Sequence, residues 1–303
     1  MEKKMKSLQR FAVIMFLCFA AVKTDYGMNI VQAETYNGYV YEENADGTLC
    51  ITGYEGNDTI LEIPNEINGK SVTELGERAF FNCRSFTSIT IPNSVTKIGN
   101  SAFRLCLSLK SITIPNGVTK IGNYAFAHCR SLTSITIPNS VAKIERRTFY
   151  DCRSLKSITI PNSITKIEDW VFCGCRSLTS ITIPNSVTKI GEGTFFDCRS
   201  LTSITIPNKV TEIGHRAFVD CKKLKSVNIK SSKLKKIGDG AFDGCKNLKK
   251  ITLKTTKLTK KSIGKNVLKG TNKKLVIKVP KKKVSAYKKY FKGKGNKTVK
   301  VTK

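Results

Sequence analysis

Residues 109–129 read Leu-Lys-Ser-Ile-Thr-Ile-Pro-Asn-Gly-Val-Thr-Lys-Ile-Gly-Asn-Tyr-Ala-Phe-Ala-His-Cys, and nearly the same words recur on both sides. Ser111-Ile112-Thr113-Ile114 alternates polar and apolar, the period of a half-buried strand. Pro115 ends that strand, because it has no N–H to give to a ladder. Asn116-Gly117 then turns the chain. Val118 and Ile121 form a second short extended piece, and Gly122 turns the chain again. Ala125, Phe126 and Cys129 fit one helical turn packed on the core.

Three ladders hold this unit in register. Pro92, Pro115, Pro138, Pro161, Pro184 and Pro207 fall 23 residues apart. So do Cys83, Cys106, Cys129, Cys152, Cys175, Cys198 and Cys221, and so do the phenylalanines from Phe80 to Phe218. A period of this length marks a stacked array. One unit cannot bury its own apolar face, so only the stack is stable. The expected fold is a repeat solenoid, mainly β with short helical turns.

The motif Leu-x-x-Ile-x-Ile-Pro-x-x-Val-x-x-Ile-Gly-x-x-Ala-Phe-x-x-Cys, repeated over residues 59–270, resembles the BspA-like class of leucine-rich repeat found in bacterial surface proteins. Residues 38–56, with Asp46-Gly47-Thr48 and Ile51-Thr52-Gly53-Tyr54, are similar to the hairpin that opens such arrays. The resemblance implies a curved leucine-rich-repeat solenoid with a parallel sheet on one face. It implies adhesion or protein binding rather than catalysis, and it names no ligand.

The ends depart from the unit. Residues 1–10 carry four basic side chains, residues 11–22 are apolar, and Val31-Gln32-Ala33 offers a small-residue cleavage site, the layout of a signal peptide over residues 1–33. The apolar run falls short of the ~20 residues that span a bilayer. No second such run occurs, so no transmembrane segment is expected in the mature chain. The hairpin cap is expected over residues 34–58, about nine repeats over 59–270, and a Lys-rich cap over 271–303. In that cap, residues 275–279 and 298–301 read as strands and residues 281–292 as a short helix.

The net charge of +31 is unevenly spread. Residues 34–221 balance at +1, whereas residues 222–303 hold 29 Lys, no Arg and two Asp, a balance of +27. Such an end attracts polyanions. Without Arg it lacks the residue suited to bidentate phosphate recognition, which disfavours nucleic acid. An anionic cell-wall polymer is the expected partner, with Lys281, Lys282, Lys283, Lys288, Lys289 and Lys292 as candidate contacts; the alternative is that the charge only solubilises the chain.

Nothing in the chain assembles a catalytic set. Eleven cysteines in an exported chain suggest disulfides. In one file, however, they sit ~4.8 Å apart along the stack, and buried free thiols are expected instead. Cys173 falls at a position that reads as exposed and is the candidate reactive thiol; its neighbour Cys175 belongs to the ladder. His128 and His215 occupy variable positions and read as surface residues. Asp151, Asp197 and Asp220 precede ladder cysteines and read as turn residues. No enzyme activity, cofactor or metal is expected.

Because most positions are fixed between units, the variable ones stand out. Two before the ladder Phe stand Arg78, Ser101, Tyr124, Arg147, Trp170, Gly193 and Arg216; just after it stand Phe81, Arg104, Ala127, Tyr150, Cys173, Phe196 and Val219. Exposed aromatics beside Arg are the usual anchors of recognition. Tyr124, Arg146, Arg147, Tyr150, Trp170 and Phe196 are the candidate contacts for an unknown protein or glycan ligand; the alternative reading is drift at tolerant positions. The sequence reads as a secreted or cell-surface adhesion scaffold. The alternative is a structural wall-associated protein held by its polycationic end without a specific protein partner.

Overall fold

The computed structural model describes residues 33–303. The leader expected over residues 1–33 lies outside them, Ala33 excepted. The chain winds as a β-solenoid of about 11 turns with one short α-helix. Three columns run along it, each built by one part of the repeat.

The first column is the Ser-Ile-Thr strand. Ile60–Glu62, Ser88–Thr90 and Ser111–Thr113 pair in parallel, as do Ser134–Thr136 and Ser157–Thr159. A third block runs through Ser203–Ile206, Ser226–Ile229, Lys250–Leu253, Val276–Lys278 and Lys300–Thr302. Every partner is the equivalent residue of the next turn, so inward Ile stacks on Ile and outward Ser and Thr form exposed files.

The second column was legible only as an extended piece. It is a ladder of two-residue strands: Lys97–Ile98, Lys120–Ile121, Lys166–Ile167, Lys189–Ile190, Glu212–Ile213 and Lys236–Ile237. At its start it joins Lys70–Leu75, and beyond that an antiparallel ribbon of Leu49–Tyr54, Tyr39–Glu43 and Glu34–Tyr36.

The third column replaces the expected helical turn with two linked tight turns. The residues two before and two after the ladder Phe take positive φ, +58° at Tyr124 and +62° at His128. In six of eight turns the second of these positions holds Asn82, Asp151, Gly174, Asp197, Asp220 or Gly244, the residue types that tolerate that region best; Leu105 and His128 hold the other two. Backbone bonds here run forward, with Phe80 N donating to Ala102 O at 2.8 Å. In the second column they run backward, with Gly99 N donating to Leu75 O at 2.7 Å.

The core is continuous. Rings from Phe80 to Phe242 stack 5.2–5.7 Å apart and within 15° of parallel. The ladder cysteines from Cys106 onward are free and buried, as expected. Each also donates to the carbonyl of a Phe one turn back, as Cys129 Sγ does to Phe103 O at 3.1 Å. Cys in this file thus satisfies a buried acceptor as well as filling space.

The glycine after the second-column Ile sets the pitch. A Cβ at Gly99 would lie 2.5 Å from Gly76 C, and one at Gly214 2.5 Å from Gly191 C. Two turns break the rule, carrying Glu145 and Glu168 instead. There the second column opens. Among the described residues, no ladder joins residue 121 to residue 144, and Ile144 meets Ile167 only through an isolated bridge. A side chain cannot sit where backbones approach this closely, so the two glutamates hold the turns apart.

At the far end, α1 (Val284–Phe291) lies against the last turns. Tyr287 and Phe291 are buried, and Tyr287 O–H donates to Thr255 O at 3.0 Å.

Candidate functional site

The variable residues of the third column form a stack along the solenoid. The Arg104 guanidinium lies 5.9 Å from the Phe81 ring centre and 5.4 Å from that of Tyr124. Arg147 lies 5.4 Å from Tyr124, 5.7 Å from Tyr150 and 6.0 Å from Trp170. Arg78 covers the other side of Phe81 at 5.8 Å. Trp170 tilts onto Phe196, 5.7 Å away, and its ring lies where a Cβ of Gly193 would be. Successive turns rise ~4.8 Å, so the stripe is roughly 25 Å long.

Two features differ from the sequence reading. First, Tyr124, Tyr150, Trp170 and Phe196 are half-buried rather than freely exposed, the first three with a guanidinium over their rings and Phe196 packed on Trp170. Cation–π contacts of this kind contribute roughly 0.5–2 kcal/mol each. The Nε atoms of Arg104 and Arg147 are buried without a hydrogen-bond partner, enclosed by the rings, and Arg147 Nη1 donates to Tyr124 Oη. Second, membership changes. Tyr124, Arg147, Tyr150, Trp170 and Phe196 come together, whereas Arg146 is exposed beside the stack and makes no such contact. Phe81, 39% exposed, and Arg104 and Arg78 belong to the stripe. Their signal was present in the alternation of aromatic and Arg along the two variable files.

Beyond Phe196 the stripe runs into a cleft of about 510 Å³ bordered by Arg216, Val219 and Asp239. It forms where Gly240 leaves the file without a side chain.

Cys173 corrects the sequence reading. It is 6% exposed, and burial pushes its thiol up to about 12. A buried, protonated thiol is a poor nucleophile, so the expectation of a reactive cysteine fails. Cys50 and Cys83 are the half-buried cysteines, and burial raises each to about 11.

The aspartates do more than turn the chain. Asp151 Oδ2 accepts from Arg130 Nε at 3.1 Å and from His128 Nδ1 at 3.2 Å, and its Oδ1 accepts from Arg153 Nε at 2.8 Å. Asp197 accepts from Arg176 Nε at 2.9 Å and Arg199 Nε at 2.6 Å. Each carboxylate clips two consecutive turns together. The recurring Asp-Cys-Arg triplet, with another Arg 21 residues before the Asp, was the available signal.

His128 is half-buried rather than a surface residue, and burial lowers its pKa despite Asp151 beside it. Near neutral pH it is thus a neutral donor. Burial opposes ionisation of Asp151 too, but hydrogen bonds from Arg153 and His128 outweigh it and hold its pKa low. For both groups the unfolded chain binds more protons, so acid destabilises the fold. The His128 contribution is lost as pH falls below about 6.5, and that of Asp151 below about 4. The melting temperature should fall on acidification in two stages. His128→Gln, which keeps a donor but cannot titrate, should remove the first. A melting curve against pH with the first stage unchanged in that variant would refute this assignment. His215 is exposed and lies 3.6 Å from Asp239.

The candidate lysines spread over the cap. Lys281–Lys283 form a 3-10 turn, with Lys281 and Lys282 exposed and Lys283 half-buried. Lys288 and Lys292 line an open cleft of about 770 Å³ with Lys297 and Lys300, while Lys289 lies outside it. Among the described residues, no group of three or more His, Cys, Asp or Glu is placed to hold a metal ion. No helix among them is long and apolar enough to cross a membrane.

The model of the BspA type leucine rich repeat region matches residues 59–179 and 165–297, in six copies. This chain belongs to that family. It is similar to a leucine rich cell surface protein of Faecalibacterium prausnitzii, with 32% identity, 82% of this chain and 76% of that one covered, and a TM-score of 0.66. It also resembles a T. pallidum leucine-rich-repeat protein at 26% identity, covering 89% and 100% of the two chains, with a TM-score of 0.43. A search of curated proteins gives no match. BspA-type arrays present a long repeat surface, and here the irregular residues of that surface are concentrated in the Arg–aromatic stripe.

Proposed function

We propose that this BspA-type chain is a non-enzymatic, cell-surface scaffold that binds a protein or glycan ligand along its third column. The observation that carries the reading is the Phe81–Arg104–Tyr124–Arg147–Trp170 stripe leading into the Phe196 cleft. Tyr, Trp and Arg dominate binding hot spots because they offer large, rigid contact area with a polar handle. Here they are held in place before any ligand arrives, which lowers the entropy cost of binding. The surface location is supported by the F. prausnitzii relative, which is described as a cell surface protein.

The test is a pull-down against host matrix proteins and cell-wall fractions, followed by titration of whatever binds. Tyr124→Ser, Tyr150→Ser and Trp170→Ser combined should weaken that binding about 30-fold or more, as expected for a hot spot of about 2 kcal/mol. Circular dichroism reports whether the variant is folded. Unchanged binding by the folded variant would refute the reading. The same stripe crosses the turns of Glu145 and Glu168, so a variant that loses stability and keeps its ligand would mark it as a structural stitch.

A second reading, a wall-associated structural protein held by its charge, is supported by the exposed Lys281, Lys282 and Lys289 and by the +27 balance of residues 222–303. Retention by diffuse charge should fall steeply between about 0.1 M and 1 M salt, as the screening length shrinks from ~10 to ~3 Å. A packed aromatic interface should resist such salt.

A further inference from the structure

The two ends of the solenoid differ in charge and shape. Residues 34–77 hold ten carboxylates against Lys70 alone, a balance of −9. The first strand of the first column, Ile60–Glu62, pairs only with Ser88–Thr90. On it Ile60 is 66% exposed, the most exposed large apolar side chain among the described residues. Exposed Glu55, Asp58, Glu62 and Glu66 surround it in sequence, and none makes an ion pair among the described residues. The last strand of the same column, Lys300–Thr302, pairs only with Val276–Lys278. Beside it lies the 770 Å³ cleft, with half-buried Val299 and buried Val301 along it and Lys288, Lys292, Lys297 and Lys300 around them. These lysines make no ion pair either among the described residues.

We propose that this chain associates head to tail, with Ile60 of one copy seated in the Val299–Val301 cleft of the next. The acidic collar of Ile60 faces the lysine collar of the cleft. A diffuse polyanion has no use for an apolar floor, whereas an apolar knob ringed by carboxylates matches both the floor and its rim. The contact joins two different surfaces at opposite ends of an elongated molecule. Such a heterologous contact does not close on itself and gives an open chain of copies. Opposite charge steers the ends together and sets their register. The inference is independent of the Arg–aromatic stripe, which lies on the third column.

Sedimentation of the purified chain tests it. At about 0.02 M salt, where the screening length exceeds 10 Å, species of two or more copies should form and grow with concentration. At about 0.5 M they should revert to monomer. Glu62→Lys with Glu66→Lys should abolish association, and so should Lys292→Glu with Lys300→Glu. These charges are exposed, so circular dichroism should match the parent. Mixing the two variants makes both head-to-tail contacts between unlike copies complementary, one with native charges and one with reversed charges, and should restore association. A parent that stays monomeric at low salt, or assemblies untouched by both swaps, would overturn the proposal. So would a parent that never self-associates but binds polyphosphate-coated beads through Lys292 and Lys300, which would make the cleft a polyanion site.

Discussion

Phe149→Ala is expected to cost about 3–5 kcal/mol, the range for emptying a fully buried aromatic position. Phe149 is 0% exposed and stacks 5.7 Å from both Phe126 and Phe172. Its neighbours cannot close the gap, because each ring is fixed by a backbone bonded to the turns on either side. Phe149 N donates to Val171 O, and Phe126 N donates to Thr148 O. The effect should also change the shape of unfolding. In a stack each turn contacts only its neighbours, so a weakened turn uncouples the two halves. Urea denaturation followed by circular dichroism should show two transitions in place of one. One transition shifted by less than about 1 kcal/mol would mean that the ring stack is not what couples the turns.

Gly214→Ala should cost about 1–3 kcal/mol, although it adds only a methyl group. The new Cβ would lie 2.5 Å from Gly191 C, 2.6 Å from Gly191 O and 2.7 Å from Glu192 N, all backbone atoms. The turns must separate locally, which breaks the bond from Gly214 N to Ile190 O, now 2.9 Å. Gly69→Ala is the control. Gly69 has a φ of +76° but nothing within 4 Å of its would-be Cβ. It should cost only the backbone strain, about 1 kcal/mol. Denaturation midpoints and exchange protection of the Gly214 amide separate the two cases. Equal losses from both substitutions would show that close approach is not the limiting factor.

The repeat made the solenoid readable because its period is a property of residue order alone. Ile112, Ile114, Val118, Ile121, Phe126 and Cys129 are all buried as their spacing required. The tight turns were harder to foresee. Tyr124 and His128 sit at positive φ, a conformation that neither residue type advertises. The stacking of Arg between aromatics was hidden for a related reason. Part of it lies in one file, Tyr124–Arg147–Trp170, but Arg104 after one Phe meets Tyr124 before the next, so no single file displays the whole stack. Cys173 misled because its sister residues, Arg104 and Tyr150, are half-exposed, whereas a small side chain at that place is covered by its surroundings.

The gap at Glu145 and Glu168 has a mechanical consequence. A surface protein gripped at one end and loaded at the other carries tension along its axis, and a serial stack yields at its weakest joint. Here that joint lies at the turn of Glu145, where two of the three columns lack a ladder among the described residues: residue 121 is not joined to residue 144, and Ser111–Thr113 does not pair with Ser134–Thr136. The third column holds that span, through backbone bonds such as Phe126 N to Thr148 O, the Phe126–Phe149 ring stack, the Asp151 clip and the Tyr124–Arg147–Trp170 contacts. Under load the array should part there first, lengthening in one discrete step and leaving folded blocks on both sides. Two glutamates in an otherwise uniform polymer would thus act as a built-in fuse.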